Sequence, residues 1–282
     1  MKRLVCLCFG LLLMSILPWL TAARNAVPSP EKLGYKPSFE VTYFSSLEYR
    51  YLLSELLFYD ATFYYGTILE KAGERPDYVM MGRYIDYATR LNAYNIDAYY
   101  LGQAILVWEA GLVKDMNVIL ERGVKRRNWD FYLPFFLGFN HAYFLNDPKG
   151  AAEYMSLAAK LNPRMTFLPT YVGRLYYQAD KTEQAIQYLK VVYDGTYDQK
   201  LRKSIQVRIS ALETIQFLEG AVRKFEQKTG RGPAELNELV SAGILKGIPP
   251  DPYGGHFYYD PSDRRVKTSS KMALQGAKNE RH

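Results

Sequence analysis

Cysteine is almost missing from this sequence, which has only Cys6 and Cys8 among 282 residues. Both lie inside an apolar segment that ends near residue 23. The remainder of the chain therefore has no disulfide, no thiolate zinc site and no cysteine nucleophile of its own. Neither cysteine follows a small residue in the pattern of a bacterial lipoprotein, so we do not expect lipidation.

Histidine is nearly as scarce, with His141, His256 and His282 far apart in the chain. No two of them share a helix face, which argues against a histidine zinc site. The sequence also lacks a glycine-rich loop that opens a helix, the arrangement that binds phosphate groups. Acidic pairs such as Glu235 and Glu238 are explained by a solvated helix face. We therefore predict no catalytic residue, no metal and no cofactor.

Long runs of basic residues are absent too, although the net charge is +7. The tightest clusters, such as Lys125-Arg126-Arg127 and Arg202-Lys203, are short. There is no extended basic arm and no zinc-finger spacing, the usual marks of a nucleic-acid-binding chain. A solvated basic surface accounts for the charge, and no nucleic-acid partner is predicted.

The N-terminus carries an export signal. Lys2 and Arg3 precede a stretch without charge from Leu4 to Ala23 that ends in small residues, the pattern of a secretory signal peptide. The alternative is an uncleaved anchor, since these 20 residues are just long enough to span a bilayer. Both interpretations place the body of the protein outside the cytoplasm, periplasmic or associated with the outer envelope. Membrane contact is expected only through this segment.

The centre of the chain repeats itself with a period near 34 residues. Gly138 and Gly173 are 35 apart, while Ala151 and Ala185 are 34 apart. Such a period is typical of stacked helical hairpins. Weaker matches at Gly66 and Gly102 extend the pattern, and Asn92, Asn128 and Asn162 fall where each unit should end in a left-handed cap. We predict four units, near 58–95, 96–130, 131–164 and 165–198.

The predicted fold is mostly α, with a helical-hairpin solenoid followed by a long helix and a small α+β unit. The long helix should cover about 24 residues and end at Thr229-Gly230, and short strands should follow at His256–Asp260 and Arg265–Ser269. The predicted segments are a signal peptide or anchor at 1–23, an extended lead-in at 24–44, helical repeats at 45–198, the α+β unit at 199–270 and a flexible tail at 271–282.

Residues 58–198 resemble the tetratricopeptide-repeat family. The residues that carry the resemblance are Leu137-Gly138, Ala151, Tyr154, Ala158 and Pro163 in one unit, and Gly173, Tyr176, Ala185, Tyr188 and Leu189 in the next. The resemblance implies a right-handed superhelix whose first helices line a concave groove that binds a peptide.

Aligning the four marker glycines predicts which side chains face that groove. They are Phe63, Thr67, Tyr99, Gln103, Leu106, Phe135, Phe139, Tyr143, Thr170, Arg174 and Tyr177. This set is rich in aromatic residues and poor in charge, which suits an apolar or extended peptide. The alternative is that the lead-in or the C-terminal unit fills the groove within the same chain.

Residues 205–268 resemble the C-terminal part of the major pseudopilin of type II secretion systems. The resemblance rests on the long helix, on Thr229-Gly230, and on the string Ile248-Pro249-Pro250-Asp251-Pro252-Tyr253-Gly254 before Phe257-Tyr258-Tyr259. It implies a helix laid across a small sheet of two or three antiparallel strands, with the Asp251, Pro252, Tyr253 and Gly254 loop between them. The family's polymerising N-terminal helix and acidic calcium loop are absent, so neither polymerisation nor metal binding is inferred.

These features predict a non-catalytic, exported scaffold that binds a protein or peptide in a bacterial secretion, pilus or surface-assembly apparatus. An alternative is an exported glycan-binding or carbohydrate-active protein, because the chain has 25 tyrosines and tyrosine rings stack on sugars. A third reading is a purely structural envelope component whose repeats space its two ends.

Overall fold

The computed structural model describes residues 14–16, 18–19, 22, 33–34, 36–71 and 73–270. Across them the chain is mostly helical and has one small antiparallel sheet near its C-terminus, which confirms the predicted class at that level. The predicted segment 1–23 lies almost entirely outside the described residues, and the tail 271–282 lies wholly outside them. None of the helices in the described part combines the length and apolar character needed to cross a bilayer.

The helices are, in chain order, α1 (Phe39–Ser46), α2 (Arg50–Leu69), α3 (Tyr78–Leu91), α4 (Ile96–Gly102), α5 (Val113–Arg126), α6 (Tyr132–Tyr143), α7 (Pro148–Leu161), α8 (Leu168–Gln178), α9 (Thr182–Gly195), α10 (Gln199–Thr229) and α11 (Asn237–Ser241). A 3₁₀ turn, Leu47–Tyr49, joins α1 to α2, and a π-helical turn, Gln103–Val107, follows α4. The strands are β1 (Phe257–Asp260) and β2 (Arg265–Thr268).

The chain forms two compact units, residues 1–119 and 120–282. In the first unit α2 packs against α3, and α4 packs against both. The core between them includes Leu57, Ala61, Tyr84 and Ala88. A buried hydrogen bond adds to this packing, since the Ser54 hydroxyl donates to the carbonyl of Ala88 at 2.8 Å.

In the second unit each helix packs against the next, from α6 through α10. Close approach is possible because small residues lie at the crossings. A Cβ built at Gly138 would lie 2.6 Å from Cγ of Met155 and 3.1 Å from its backbone nitrogen. At Gly173 the nearest side-chain atom would be 2.8 Å away, and at Gly102 in the first unit 2.7 Å. Gly66 differs, because nothing lies within 4 Å of a Cβ there.

The turns within the helix pairs use left-handed residues. Asn146 between α6 and α7 has φ +50°, and Asp180 between α8 and α9 has φ +60°. Asn and Asp adopt this left-handed conformation more readily than most other non-glycine residues and are common in turns. The predicted left-handed caps were wrong at Asn92 and Asn162, whose φ values are −138° and −129°.

The long helix α10 has 31 residues and begins at Gln199, earlier than predicted. Its start is set by Asp198, whose carboxylate accepts from the backbone nitrogens of Lys200 and Leu201 at 2.9 and 3.0 Å. It ends at Gly230, which has φ +74°. The predicted lead-in also needs correction, because the chain is already helical from Phe39.

The C-terminal sheet has two strands among the described residues, with Phe257 opposite Thr268 and Tyr259 opposite Val266. Its inner residues join α8, α9, α10 and α11 in one hydrophobic core, which contains Phe257, Tyr259, Val266, Leu212 and Leu239. The α+β unit is thus built onto the last helices rather than folded apart from them.

We predict opposite effects for the same substitution at two marker glycines. Gly138→Ala should lower the free energy of unfolding by about 1–3 kcal/mol, because the backbone of Met155 has to move. Gly66→Ala should raise it by about 0.5–1 kcal/mol, because alanine favours the helix and meets open space. Urea titration followed by circular dichroism measures both. Equal effects of the two substitutions would contradict the close approach at Gly138.

Candidate functional site

Helix α2 is apolar on two opposite faces. Its buried face, turned toward α3, consists of Ser54, Leu57, Ala61, Tyr64 and Ile68. The opposite face carries Leu52, Leu56, Tyr59 and Phe63, which are between 48% and 63% exposed. Their spacing of four, three and four residues places them in one row along the helix. We call this row the α2 apolar stripe.

The α2 apolar stripe has ordered rings and an acidic border. The Tyr59 and Phe63 rings stack at 6.0 Å with an interplanar angle of 20°. Helical spacing puts Glu55 on one flank, and Glu48 precedes the helix in the 3₁₀ turn. On the other flank Thr67 is half-buried, and its hydroxyl donates to the carbonyl of Phe63 at 2.8 Å. Such a surface suits an apolar partner with basic residues at its rim.

Of the stripe, only Phe63 was predicted as a site residue. Leu52, Leu56 and Tyr59 were missed because the prediction counted outward from the glycines. A helical-wheel count over residues 50–69 could have found them, since it shows a second apolar row opposite the core row.

In the second unit, the predicted residues Phe135, Phe139 and Tyr143 lie in one row on α6, which we call the α6 aromatic row. Phe135 and Phe139 are half-buried and pack against the core beneath them. Tyr143 is 65% exposed, and its ring stacks on that of Phe139 at 5.4 Å and 18°. The row therefore offers one exposed ring, that of Tyr143, beside two half-buried rings rather than three freely exposed rings.

Three predicted groove residues of the first unit are buried. Tyr99 on α4 is enclosed, and so are Gln103 and Leu106 in the π-helical turn. The prediction that they contact a ligand was wrong. A π-helical turn has more residues per turn than an α-helix, so it rotates the positions that follow Gly102 away from where α-helical counting puts them. The packing of α4 against both α2 and α3 leaves this helix little free surface.

On α8 the predicted residues divide between the surface and the interior. Thr170 is half-buried, and its hydroxyl donates to the carbonyl of Phe167 at 2.9 Å. Arg174 is also half-buried, with its guanidinium 5.0 Å from the centre of the Tyr171 ring. Tyr177 is buried, so its prediction as a groove residue was wrong.

The C-terminal sheet is what covers Tyr177. The Tyr177 hydroxyl donates to the carbonyl of Val266 at 3.0 Å, and the Arg265 guanidinium lies 4.5 Å from the ring centre. Arg265 also donates to the carbonyl of Tyr177 at 3.2 Å. At this predicted groove position the side chain is thus covered by the C-terminal unit of the same chain.

The Asp251 loop has a structural explanation. Asp251 is buried, and its carboxylate accepts from the backbone nitrogen of Tyr253 at 2.9 Å and from the hydroxyl of Thr268. Its carbonyl accepts from the backbone nitrogen of Gly254, which has φ +82°. Pro252 and Gly254 are exposed. Asp251 thus links the turn to β2 through the Thr268 hydroxyl and fixes the backbone position of Tyr253.

A polar cleft of about 360 Å³ borders α10 and the turn between the strands. Its charges largely satisfy one another, since Arg265 pairs with Asp180 at 2.6 Å and lies 4.0 Å from Glu219. Burial raises the pKa of Glu219, and the Arg265 charge opposes that rise. Within the part of the chain that the structure describes, no group of acidic, histidine or cysteine side chains is placed to hold a metal ion.

Comparisons with known proteins assign no family to the chain. No family model matches it, and a search of curated proteins gives no match. The tetratricopeptide and pseudopilin resemblances accordingly stay predictions. The functional inference rests on the α2 apolar stripe and the α6 aromatic row.

We predict that Tyr177 makes stability depend on alkaline pH. Burial raises the pKa of Tyr177 to about 12, whereas an unfolded tyrosine titrates near 10. Its contribution is therefore complete below pH 10 and is lost as pH rises from about 10 toward 12. Tyr177→Phe should cost about 1 kcal/mol at pH 8 through the lost hydrogen bond to Val266, and this difference from wild type should shrink above pH 10.

Urea unfolding at pH 8 to 11 measures the effect. Tyr197→Phe is the matched control, because Tyr197 is 94% exposed and its removal should leave the pH profile unchanged. A gap between wild type and Tyr177→Phe that stays constant across pH 10 would contradict the assignment.

We also predict that Asp251 acts on stability. Asp251→Ala should lower the free energy of unfolding by about 2 kcal/mol, because the Tyr253 amide and the Thr268 hydroxyl lose their acceptor. Asp194→Ala, at an exposed position in the same unit, should change it by less than about 0.5 kcal/mol. Chemical denaturation of the three proteins checks this, and similar values for the two variants would refute it.

Proposed function

We propose that the chain is a non-catalytic, exported scaffold that binds a protein partner through the α2 apolar stripe. The observation that carries the proposal is the second apolar face of α2. A helix that is apolar all round is normally enclosed by other elements, yet Leu52, Leu56, Tyr59 and Phe63 remain exposed. Contiguous apolar surface of this kind marks interaction sites.

The stripe favours a partner helix over a small ligand. Its four side chains span 12 residues, about 17 Å along the axis at about 1.5 Å per residue. This length and spacing match the row that an amphipathic helix presents through its i, i+3, i+4 and i+7 positions. The flanking Glu55 favours lysine or arginine at the rim of that partner helix.

We further infer that the helix pairs are tetratricopeptide-like repeats. Two observations support this inference. The helix pairs α2–α3, α6–α7 and α8–α9 pack together at positions that overlap three of the four predicted units. At Gly102, Gly138 and Gly173 the marker glycine lies where two helices approach closely. Proteins built this way present surfaces to partners rather than enclose substrates. Together with the N-terminal export pattern, this supports a role in an envelope secretion, pilus or surface-assembly apparatus.

Glycan binding is the rival function. It is favoured by one observation, the flat stack that the exposed Tyr143 forms on Phe139, on which a sugar ring can lie. The rival predicts glycan binding by the isolated protein, lost on Tyr143→Ala and unaffected by changes in the stripe. A glycan array with these variants separates the two functions.

We predict that a photo-crosslinking residue at position 59 captures a discrete protein partner in intact cells. Leu56→Asp should reduce the crosslinked product by about tenfold or more, because it buries a carboxylate in an apolar contact. The fold should be unchanged, since Leu56 is 49% exposed; circular dichroism checks this. The same photo-crosslinking residue at position 197 is the matched control and should give no discrete product.

Equal yields with and without Leu56→Asp would contradict the stripe as the binding surface. Replacing Phe135, Phe139 and Tyr143 by alanine, with the crosslinker kept at position 59, tests whether the α6 aromatic row takes part.

A further inference from the structure

Two arginines and a tyrosine of the second unit hold buried hydrogen-bond donors that have no partner among the described residues. The donors are Nε and Nη1 of Arg208, Nε of Arg174 and the hydroxyl of Tyr253. They come from three places in the chain, namely α10, α8 and the loop that follows Pro252.

These side chains lie close to one another. The Arg208 guanidinium is 5.8 Å from the centre of the Tyr253 ring. The Tyr253 hydroxyl is near enough to affect Arg208 electrostatically but makes no hydrogen bond of ordinary geometry. Burial lowers the pKa of Arg208, and the charge of Arg174 lowers it further. The arginine that lies against the Tyr253 ring is therefore partly desolvated.

This arrangement is unfavourable as it stands. A guanidinium keeps its charge at every accessible pH, and a buried charge without a counter-charge costs several kcal/mol. Asp251 is the acid whose charge acts on the neighbouring Tyr253. Both of its carboxylate oxygens already accept hydrogen bonds, from the Tyr253 amide and from the Thr268 hydroxyl. Asp251 therefore positions Tyr253 and does not pair with Arg208.

We propose that Arg174, Arg208 and the Tyr253 hydroxyl bind an oxyanion, the phosphate or carboxylate group of a small molecule. An oxyanion supplies what the cluster lacks, namely a negative charge and several acceptors for donors of different helices. Arginine is the side chain best suited to both groups, because its N–H donors match their oxygens. The Tyr171 ring, 5.0 Å from the Arg174 guanidinium, borders the same arginine.

The proposal gives the Pro-Asp-Pro-Tyr-Gly loop a role beyond a rigid turn. The Asp251 hydrogen bonds hold the backbone of Tyr253, and the ring then lies beside Arg208. The C-terminal unit thus completes a site that the helices begin. This site is separate from the α2 apolar stripe, and it does not depend on the scaffold function.

The test is the thermal unfolding of the full chain in increasing inorganic phosphate or acetate, with chloride keeping the ionic strength constant. A bound anion should leave the unfolding temperature nearly unchanged well below its dissociation constant and raise it with the logarithm of concentration above that constant. Arg208→Gln and Arg174→Gln should each weaken binding by about tenfold or more. Tyr253→Phe should weaken it by a few-fold. Arg164→Gln, at an exposed arginine of the same unit, should behave as wild type.

The unfolding temperature without added anion is a second measurement, which separates a change in stability from a change in anion binding. Without added anion, Arg208→Gln should unfold at the same temperature as wild type or higher, because it removes an unpaired buried cation. A response to phosphate alone identifies a phosphate group, and a response to acetate alone identifies a carboxylate. The absence of a response to either anion overturns the proposal. An equal response in wild type and Arg208→Gln overturns it too.

Discussion

The close approach of successive helices is the constraint on which the other features depend. A Cβ at Gly138 would collide with the side chain and backbone of Met155, and a Cβ at Gly173 would collide with the side chain of Leu189. This spacing brings the apolar faces of α6 to α10 into continuous contact and leaves each helix with one outward face. The character of those outward faces then decides what the protein can bind.

Two outward faces carry aromatic residues, and they differ in kind. The side chains of the α2 apolar stripe are about half exposed or more, whereas Phe135 and Phe139 of the α6 aromatic row are half-buried and pack against the core. Apolar area that is already half-buried gains less from a partner. For this reason α2 offers the better surface for a partner than α6 does.

The C-terminal unit changes which surfaces of α8 and α10 remain accessible. Its sheet covers Tyr177 with Val266 and Arg265, which removes that position from any open groove. Its loop places Tyr253 beside Arg208. The Tyr253 hydroxyl and the Arg208 guanidinium, whose buried donors lack partners, therefore lie close together. The same packing that closes one surface thus creates the conditions for another, smaller site.

Local chemistry was readable from the sequence alone. The helical class, the turns at Asn146 and Asp180, the end of α10 at Gly230 and both short strands follow from residues close together in the chain. These features depend on spacing, capping and backbone preference, which neighbouring residues determine.

Burial was decided only by the tertiary structure. Tyr99, Gln103 and Leu106 are enclosed because α4 packs against two helices and continues into a π-helical turn, and Tyr177 is enclosed because a strand nearly 90 residues later lies over it. The approach of the Tyr253 ring to Arg208 has the same origin. Which distant side chains meet depends on how whole elements pack, and no local pattern in the sequence encodes that.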